Sequence, residues 1–296
     1  MDKFGLIGHP LKGSLSPKLF DLAYGGKFVY DLIEGEDFET SYGRFLSEYK
    51  AINITAPFKE KAFAQAVALA KDGLGEVSGP CWKTGATNLM VKTPGGIQAH
   101  NTDFSGVILS VAEALFPGLV AQCYHEYGER GHIKVHQFIR QELPSLFPMR
   151  PQALVVGCGG AGKAAAVAAA EMGFATVLMN RTESKAREIE ASLPEYSFIV
   201  DPVTDFKDAV GECDLVIYTL PVALPEAVSL DPDGWTGRKI ILEANYKTPC
   251  LARLDRQNGV TYVSGYKWLL YQAIAGYGTM TGVTPDFGAM LGGFEK

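Results

Sequence analysis

A lysine lies just past a strand-like stretch of apolar and small residues. In "AINITAPFKE", residues 51–60, an apolar run ends at Pro57 and Lys59 comes two residues after it. Proline suits the first turn of a helix, here expected over about 58–71, so Lys59 would lie where a parallel strand ends and a helix begins. Ligands of α/β proteins bind at such places, although a helix N-terminus disfavours a cation. Lys59 is therefore a candidate functional residue, with a solvent-exposed lysine as the alternative.

Further polar side chains occupy similar places along the chain. Ser14 and Ser16 follow the strand-like "FGLIG", Asn88 interrupts an apolar run, and Asp103 precedes a helix-like segment. Serine and aspartate are also common helix caps, so capping stays open as their role. One acid, one lysine, hydroxyls and amides together suit a polyhydroxylated substrate.

A glycine-rich turn, "ALVVGCGGAGKAAAVAAAEMG", links an apolar strand to an alanine-rich helix. Its GxGxxG pattern is typical of a dinucleotide site, where glycines permit a tight turn and close approach to a pyrophosphate at the helix N-terminus. The predicted cofactor contacts are Gly157, Gly159, Gly160, Ala161 and Gly162. The alternative is a turn without a ligand. With the polar groups above, the loop points to hydride transfer.

The next strand indicates which nucleotide is bound. It ends in "LMNRTESKA", so Arg181 stands where NAD-binding proteins place an acid. A guanidinium pairs with a 2′-phosphate, which a carboxylate would repel. We therefore predict NADP, held by Asn180, Arg181, Thr182 and Lys185, although a solvated basic helix start remains the alternative.

The rest of the chain supports an α/β fold. Short apolar runs alternate with helix-length segments such as 161–173 and 183–193, which predicts a largely parallel sheet. A net charge of −6 gives no reason to expect nucleic acid or an anionic membrane surface as partner. No apolar run reaches the roughly 20 residues of a membrane span. Five scattered cysteines favour a reducing compartment, and we expect a cytoplasmic protein.

Residues 117–150 interrupt the alternation. The segment contains several prolines and little periodicity at its ends, and we interpret it as an insertion with one helix near 131–142. It carries a set that resembles metal ligands: Cys123, His125, His132 and His136. The spacing matches no defined zinc motif, so we expect surface histidines and no metal.

The ordered motifs resemble the shikimate dehydrogenase family over nearly the whole chain. The family's G-x-P-x-x-x-S-x-S-P matches residues 8–17, N-V-T-x-P-x-K matches 53–59, N-T-D matches 101–103, N-R-T matches 180–182, and the C-terminal G-x-G-M-L-x-x-Q-A resembles "GYKWLLYQA" at 265–273. The resemblance implies two domains: a mostly parallel α/β catalytic domain of residues 1–105 and 266–296, and a Rossmann NADP-binding domain of residues 106–265. The C-terminal helices would return to the first domain, and Lys59 would face a cleft between the two.

The resemblance also implies roles. Lys59 and Asp103 would carry the proton chemistry, while Ser14 and Ser16 would hold the substrate carboxylate. The other substrate ligands would be Thr55, Asn88, Tyr246 and Gln272. Thr219 and Gly265 would join the glycine loop and the arginine patch at the cofactor.

The expected activity is NADP-dependent reduction of 3-dehydroshikimate to shikimate by a monomer or homodimer. Quinate dehydrogenase and a non-catalytic ligand sensor remain alternatives, although a sensor needs no proton-transfer pair. Departures from the family pattern are Leu89, "YTLPVAL" at 218–224, and Lys267 with Trp268. These changes bear on substrate preference and on nicotinamide binding.

Overall fold

The computed structural model describes residues 2–294, and the chain divides into two compact units. Unit 1 comprises Met1–Asp103 and Gln272–Lys296, and unit 2 comprises Phe104–Tyr271. The strands are β1 Lys3–Gly8, β2 Val29–Glu34, β3 Ala51–Ile54, β4 Gly75–Val77, β5 Leu89–Thr93, β6 Gly96–His100, β7 Gln152–Val156, β8 Ala175–Met179, β9 Ile199–Val200, β10 Leu215–Tyr218, β11 Lys239–Glu243 and β12 Val260–Ser264.

Helices connect nearly all of these strands. They are α1 Ser16–Tyr24, α2 Phe38–Glu48, α3 Lys59–Lys71, α4 Gly79–Thr84, α5 Thr102–Leu115, α6 Leu119–Tyr127, α7 Gly131–Leu146, α8 Gly160–Met172, α9 Glu183–Ser192, α10 Phe206–Glu212, α11 Pro225–Val228, α12 Gly265–Thr281 and α13 Phe287–Phe294. The expected α/β class is confirmed.

Unit 1 is built on a mixed sheet in the order β2-β1-β3-β5-β6-β4. The β1–β2, β1–β3 and β4–β6 pairs are parallel, whereas β5 runs antiparallel to both of its neighbours. Its strands and helices bury a common core that includes Ile7, Ile33, Phe45, Ile52 and Met90. The connections that follow β3 and β6, two strands separated by β5, carry Lys59 and Asp103.

Unit 2 contains a fully parallel sheet in the order β12-β11-β10-β7-β8-β9. The strands β10 and β11 are buried along their whole length, as expected for a parallel sheet covered on both faces. The chain winds one way from β7 to β9 and the other way from β10 to β12. The glycine loop follows β7, at the point where strand order reverses and α/β sheets bind ligands.

Two element boundaries differ from those expected from the sequence, and one short strand was missed. The helix after β3 begins at Lys59, so Pro57 lies outside it, in a turn closed by the Phe58 amide donating to the Thr55 carbonyl at 3.0 Å. The apolar run at residues 86–91, which Asn88 interrupts, predicts one strand, but β5 begins only at Leu89 and ends at Thr93. The three-residue strand β4 was missed because so short a run carries no periodicity.

The insertion is more helical than predicted. Besides the expected helix, here α7, it contains α6, and α7 continues past Pro144 to Leu146. Helix α7 buries Val135, Ile139 and Leu143 at intervals of four, which gives it a continuous apolar face. Pro144 removes one backbone hydrogen bond, and α7 continues for only two residues beyond it.

Candidate functional site

Lys59 and Asp103 form a direct ion pair in unit 1. The Lys59 Nζ lies 2.6 Å from Asp103 Oδ2, and the two side chains are only 16% and 9% exposed. Lys59 is the first residue of α3 and Asp103 the second of α5. A largely buried ammonium and carboxylate at this distance can exchange a proton with a bound hydroxyl or carbonyl group.

Asn88 connects this pair to the C-terminal helix. Its Nδ2 donates to Thr102 Oγ1 and to Gln272 Oε1, both at 3.0 Å, and its Oδ1 accepts from the Thr102 amide at 2.8 Å. Asn88 is buried and lies just before β5. The structure therefore brings together four residues that the sequence singled out, Lys59, Asn88, Asp103 and Gln272.

Backbone hydrogen bonds between strands explain why these distant residues meet. The Ile54 amide donates to the Asn88 carbonyl at 2.8 Å, and the Asn88 amide donates to the His100 carbonyl at 3.1 Å. The Thr87 amide donates to the Lys59 carbonyl at 3.0 Å. These bonds align the ends of β3, β5 and β6, so that the connections following β3 and β6 carry the ion pair. Thr55, at the end of β3, lies beside Gly8, whose missing Cβ leaves room for the threonine methyl group.

The two predicted serines lie together at the start of α1. Ser14 Oγ is 3.4 Å from both Oγ and N of Ser16, and both residues are partly exposed. Leu15 is the N-cap of α1 and has no side-chain capping bond. Within their own segment the hydroxyls make only these long contacts, and the Ser16 side chain also hydrogen-bonds to Tyr30.

Three polar residues around this cluster, Tyr30, Asn53 and Asn101, were missed as site residues. The Tyr30 hydroxyl donates to Asn53 Oδ1 at 2.9 Å, and Asn53 Nδ2 donates to the Asn88 carbonyl at 3.3 Å. Asn101 Nδ2 donates to Thr84 Oγ1 at 2.9 Å and to the Ala86 carbonyl at 3.0 Å. Asn53 and Asn101 belong to quoted motifs, which was the available signal, whereas nothing in the local sequence marks Tyr30.

The glycine loop of unit 2 has the geometry its pattern predicts. Gly157 adopts a φ of 101°, which favours glycine. A Cβ on Gly162 would lie 1.8 Å from the Gly157 carbonyl oxygen, so α8 can begin here only with glycine at 162. Thr219 Oγ1 donates to the Val156 and Gly157 carbonyls at 3.0 and 3.2 Å. This threonine locks the loop to the end of β10.

The start of α8 has the features of a phosphate-binding site. Gly159 is the N-cap, and in the described structure no side chain caps this helix end. Gly160 and Ala161 open the helix, and a helix N-terminus presents backbone N–H groups and a positive dipole end. The residues present therefore fit a dinucleotide pyrophosphate.

The predicted arginine patch lies on the turn between β8 and α9. Asn180 Oδ1 accepts from the Cys158 amide at 3.1 Å, which ties this turn to the glycine loop. Asn180 Nδ2 also donates to the Thr182 carbonyl at 2.8 Å. Arg181, Thr182 and Lys185 are exposed. Two cations beside the glycine loop suit a nucleotide that carries an additional phosphate.

A cavity of about 490 Å³ lies at the ends of β10 and β11 and includes Thr219, Pro221, Asn245 and Tyr246 in its lining. Asn245 Nδ2 donates to the Pro221 carbonyl at 3.1 Å, which joins the loop after β11 to the unusual 218–224 loop. The Tyr246 ring lies 4.8 Å from that of Tyr266. The same β11 loop passes close to Gly265, because a Cβ there would lie 2.2 Å from the Ala244 carbonyl oxygen.

The metal-like set in the insertion is spread over two helices. Cys123 is buried on α6, His125 is exposed, His132 Nδ1 lies 2.9 Å from the Glu129 carbonyl oxygen, and His136 packs edge-on to Phe104. Within residues 2–294, no three or more His, Cys, Asp or Glu residues are grouped to hold a metal ion. The expected absence of a metal stays a prediction.

Among the described residues, no helix combines the length and apolar composition that crossing a membrane requires.

Comparison with known proteins identifies similar chains. The sequence model of the family described as "Shikimate / quinate 5-dehydrogenase" matches residues 144–223. The NADP(+) shikimate dehydrogenase of Archaeoglobus fulgidus is 26% identical over 97% of this chain and 95% of its own. That of Rubrobacter xylanophilus is 28% identical over 97% and 93%. The crystal structure of Mycobacterium tuberculosis shikimate dehydrogenase is 25% identical, with a TM-score of 0.73 over 99% of this chain and 98% of that one. The family resemblance indicated by the motifs is confirmed: the chain is similar to shikimate dehydrogenases along nearly its whole length.

Proposed function

We propose that the protein is an NADP-dependent shikimate dehydrogenase that reversibly reduces 3-dehydroshikimate to shikimate, a step of aromatic amino acid biosynthesis. The observation that carries the proposal is the Lys59–Asp103 ion pair, at 2.6 Å, beside the Asn88–Gln272 contact in unit 1. The relatives named above as NADP(+) shikimate dehydrogenases support it over nearly the full chain.

Unit 1 would bind the substrate. Ser14 and Ser16 offer two partly exposed hydroxyls for its carboxylate. Thr55, Asn88 and Gln272 would hold its hydroxyl groups. Hydrogen bonds to a charged carboxylate are stronger than neutral ones, so the serines would contribute much of the binding energy.

Proton transfer would fall to the ion pair. Lys59 would donate a proton to the C3 oxygen as the ketone of 3-dehydroshikimate becomes the alcohol of shikimate, and it would accept that proton in the reverse direction. Asp103 would hold the Lys59 ammonium and orient the C3 oxygen. General acid–base catalysis of this kind contributes roughly 10²–10⁴-fold to a rate.

Unit 2 would bind NADP, which supplies or accepts the hydride at C3. The start of α8 would hold the pyrophosphate, and Arg181, with Lys185, would bind the 2′-phosphate. Gly157, Gly159, Gly160 and Gly162 lack side chains, so the backbone there could approach the nucleotide closely. Thr219 and Gly265 flank the cavity at the ends of β10 and β11.

Quinate oxidation is a second candidate, because the matching family description names both substrates. The unusual 218–224 loop and Leu89 leave the preference open to measurement. We also propose that the enzyme acts as a monomer or homodimer in the cytoplasm, where the five free cysteines would stay reduced.

The direct test is reduction of NADP⁺ by the purified protein in the presence of shikimate. We expect turnover with shikimate and NADP⁺ that exceeds turnover with quinate or NAD⁺. Faster turnover of quinate would assign the second candidate. Tight shikimate binding without turnover would contradict an enzyme and favour a ligand sensor.

A further inference from the structure

A buried tyrosine of the C-terminal helix reaches the serine pair. Tyr277 is only 3% exposed, and its hydroxyl donates to the Ser16 carbonyl at 3.3 Å. Tyr277 lies on α12, five residues after Gln272. One helix therefore touches the carboxylate-binding end of the proposed substrate site and the Asn88 end.

The packing of the ring does not by itself account for the hydroxyl. Phe20 packs edge-on to Tyr277 at 5.1 Å, and the Tyr24 and Tyr30 rings lie 6.4 and 6.5 Å away, contacts that a phenylalanine would also make. A buried hydroxyl is costly unless it is hydrogen-bonded. Burial and the two neighbouring phenols raise the pKa of Tyr277 well above its ordinary value, so the hydroxyl keeps its proton and donates.

The side chains of the segment that Tyr277 contacts add little to its backbone hydrogen bonds, one of which joins the Ser14 amide to the Leu11 carbonyl at 3.0 Å. The N-cap Leu15 has no side-chain capping bond, and the Ser14–Ser16 contacts are 3.4 Å long. Because Ser16 is the first residue of α1, the position of its carbonyl fixes the backbone from which its hydroxyl projects. A donor from another helix can therefore set the orientation of the pair.

We propose that Tyr277 is a positioning residue that holds Ser16, and with it the substrate carboxylate. It would fix the distance, measured along the α12 axis, between the carboxylate and Gln272. Five residues of helix span about 7.5 Å, so a single rigid element would set the spacing between the carboxylate end and the hydroxyl end of the site. The inference rests on the proposed function, in which the serines bind the carboxylate.

The test is Tyr277→Phe, which keeps the ring and removes the donor. We expect the KM for shikimate to rise about three- to tenfold, the effect of one neutral hydrogen bond, with kcat within about twofold, the pattern of an interaction made equally in ground and transition states. The matched control is Tyr24→Phe. The Tyr24 hydroxyl bonds to the Tyr277 and Val283 carbonyls at 2.9 and 3.1 Å, so its loss should lower Tm and leave KM unchanged.

A double variant separates positioning from packing. If Tyr277 acts through Ser16, then Tyr277→Phe should change KM less than about twofold once Ser16→Ala has removed the hydroxyl. Equal KM effects in both backgrounds, or an unchanged KM in Tyr277→Phe, would overturn the inference alone. A wild-type protein that does not oxidise shikimate would overturn it together with the proposed function.

Discussion

The candidate sites of the two units differ in the kind of atoms that form them: side-chain atoms in unit 1 and mainly backbone atoms in unit 2. In unit 1 the site is made of side chains: Lys59 contacts Asp103 at 2.6 Å, and Asn88 donates at 3.0 Å both to Gln272 and to Thr102, the residue before Asp103. In unit 2 the glycine loop and the start of α8 offer mainly backbone, and the predicted charged ligands are exposed around it.

The difference predicts different sensitivities. A side-chain network depends on particular functional groups, so removing one should abolish chemistry while the fold survives. A backbone site depends on the absence of side chains. Adding one methyl group to the glycine loop should therefore disturb the site more than removing one of the exposed charges beside it. Four changes can break or sharpen this contrast.

The largest effect is expected at Lys59. Lys59→Met keeps most of the stem volume and removes the proton donor, so kcat should fall at least about 10²-fold. NADP affinity should stay unchanged, because the proposed nucleotide site belongs to unit 2. Steady-state kinetics with shikimate, together with nucleotide titration, measures both quantities.

Three companion variants control this result. Lys50→Met removes a solvent-exposed ion pair with Asp2, 3.1 Å long, and should leave kcat unchanged. Asp103→Asn should lose about as much as Lys59→Met, and the double variant little more, because residues that act as a unit are not additive. Near-normal turnover by a folded Lys59→Met variant would reduce Lys59 to a structural lysine.

Adding methyl groups to the glycine loop should separate folding from nucleotide binding. In Gly162→Ala the new Cβ would lie 1.8 Å from the Gly157 oxygen, and we expect a loss of at least about 2 kcal/mol in the free energy of unfolding. In Gly159→Ala the Cβ would meet nothing within 4 Å, so the fold should keep its stability while NADP binding weakens. Urea denaturation and NADP titration of both variants distinguish the two outcomes. Equal stability of the two proteins would contradict the assigned geometry.

These two regions also show how far the sequence alone could lead. The glycine loop is contiguous, and residues 157–162 carry their whole pattern between a strand and a helix, so its geometry followed from local rules. Lys59 and Asp103 are separated by 44 positions. Local sequence marked each as a candidate, but only the family resemblance placed them in one site.

The features missed from the sequence depend on pairing between distant strands. The Tyr30–Asn53 contact requires β1 to lie between β2 and β3, and no local pattern specifies that order. The antiparallel direction of β5 relative to β3 and β6 likewise depends on strand pairing that no local pattern specifies. Helix α6 was missed because proline and glycine flank it, although Val120, Cys123 and Tyr124 give it a buried face.

The choice between NADP and NAD tests the exposed cations beside the glycine loop of unit 2. Arg181→Ala should weaken NADP binding about tenfold to a hundredfold, since a charge-assisted hydrogen bond contributes roughly 1.5–3 kcal/mol, and should leave NAD binding nearly unchanged. Arg187→Ala is the matched control, because Arg187 is equally exposed but pairs with Glu183 and Glu190 on its own helix. Equal losses for NADP and NAD in Arg181→Ala would show that this arginine does not read the 2′-phosphate.

The smallest expected effect concerns the unfolding free energy at alkaline pH, which depends on a thiol in the buried core of unit 2. Burial raises the pKa of Cys213 from 9.0 to about 12, and this thiol is only 2% exposed. Between those values the unfolded chain loses its proton while the folded chain keeps it, so stability is full below pH 9 and falls as pH rises toward 12. One such thiol contributes a slope of up to about 1.4 kcal/mol per pH unit.

Cys213→Ala should therefore flatten the fall of the unfolding free energy between pH 9 and 11, whatever it does to stability at pH 8. Ser110→Ala is the control, because it removes a buried side chain that does not titrate in this range and whose hydroxyl donates to the Gly106 carbonyl at 2.7 Å. That variant should lower stability by a similar amount at every pH. Urea denaturation at several pH values measures both slopes, and an unchanged slope in Cys213→Ala would show that the thiol titrates alike in the folded and unfolded chain.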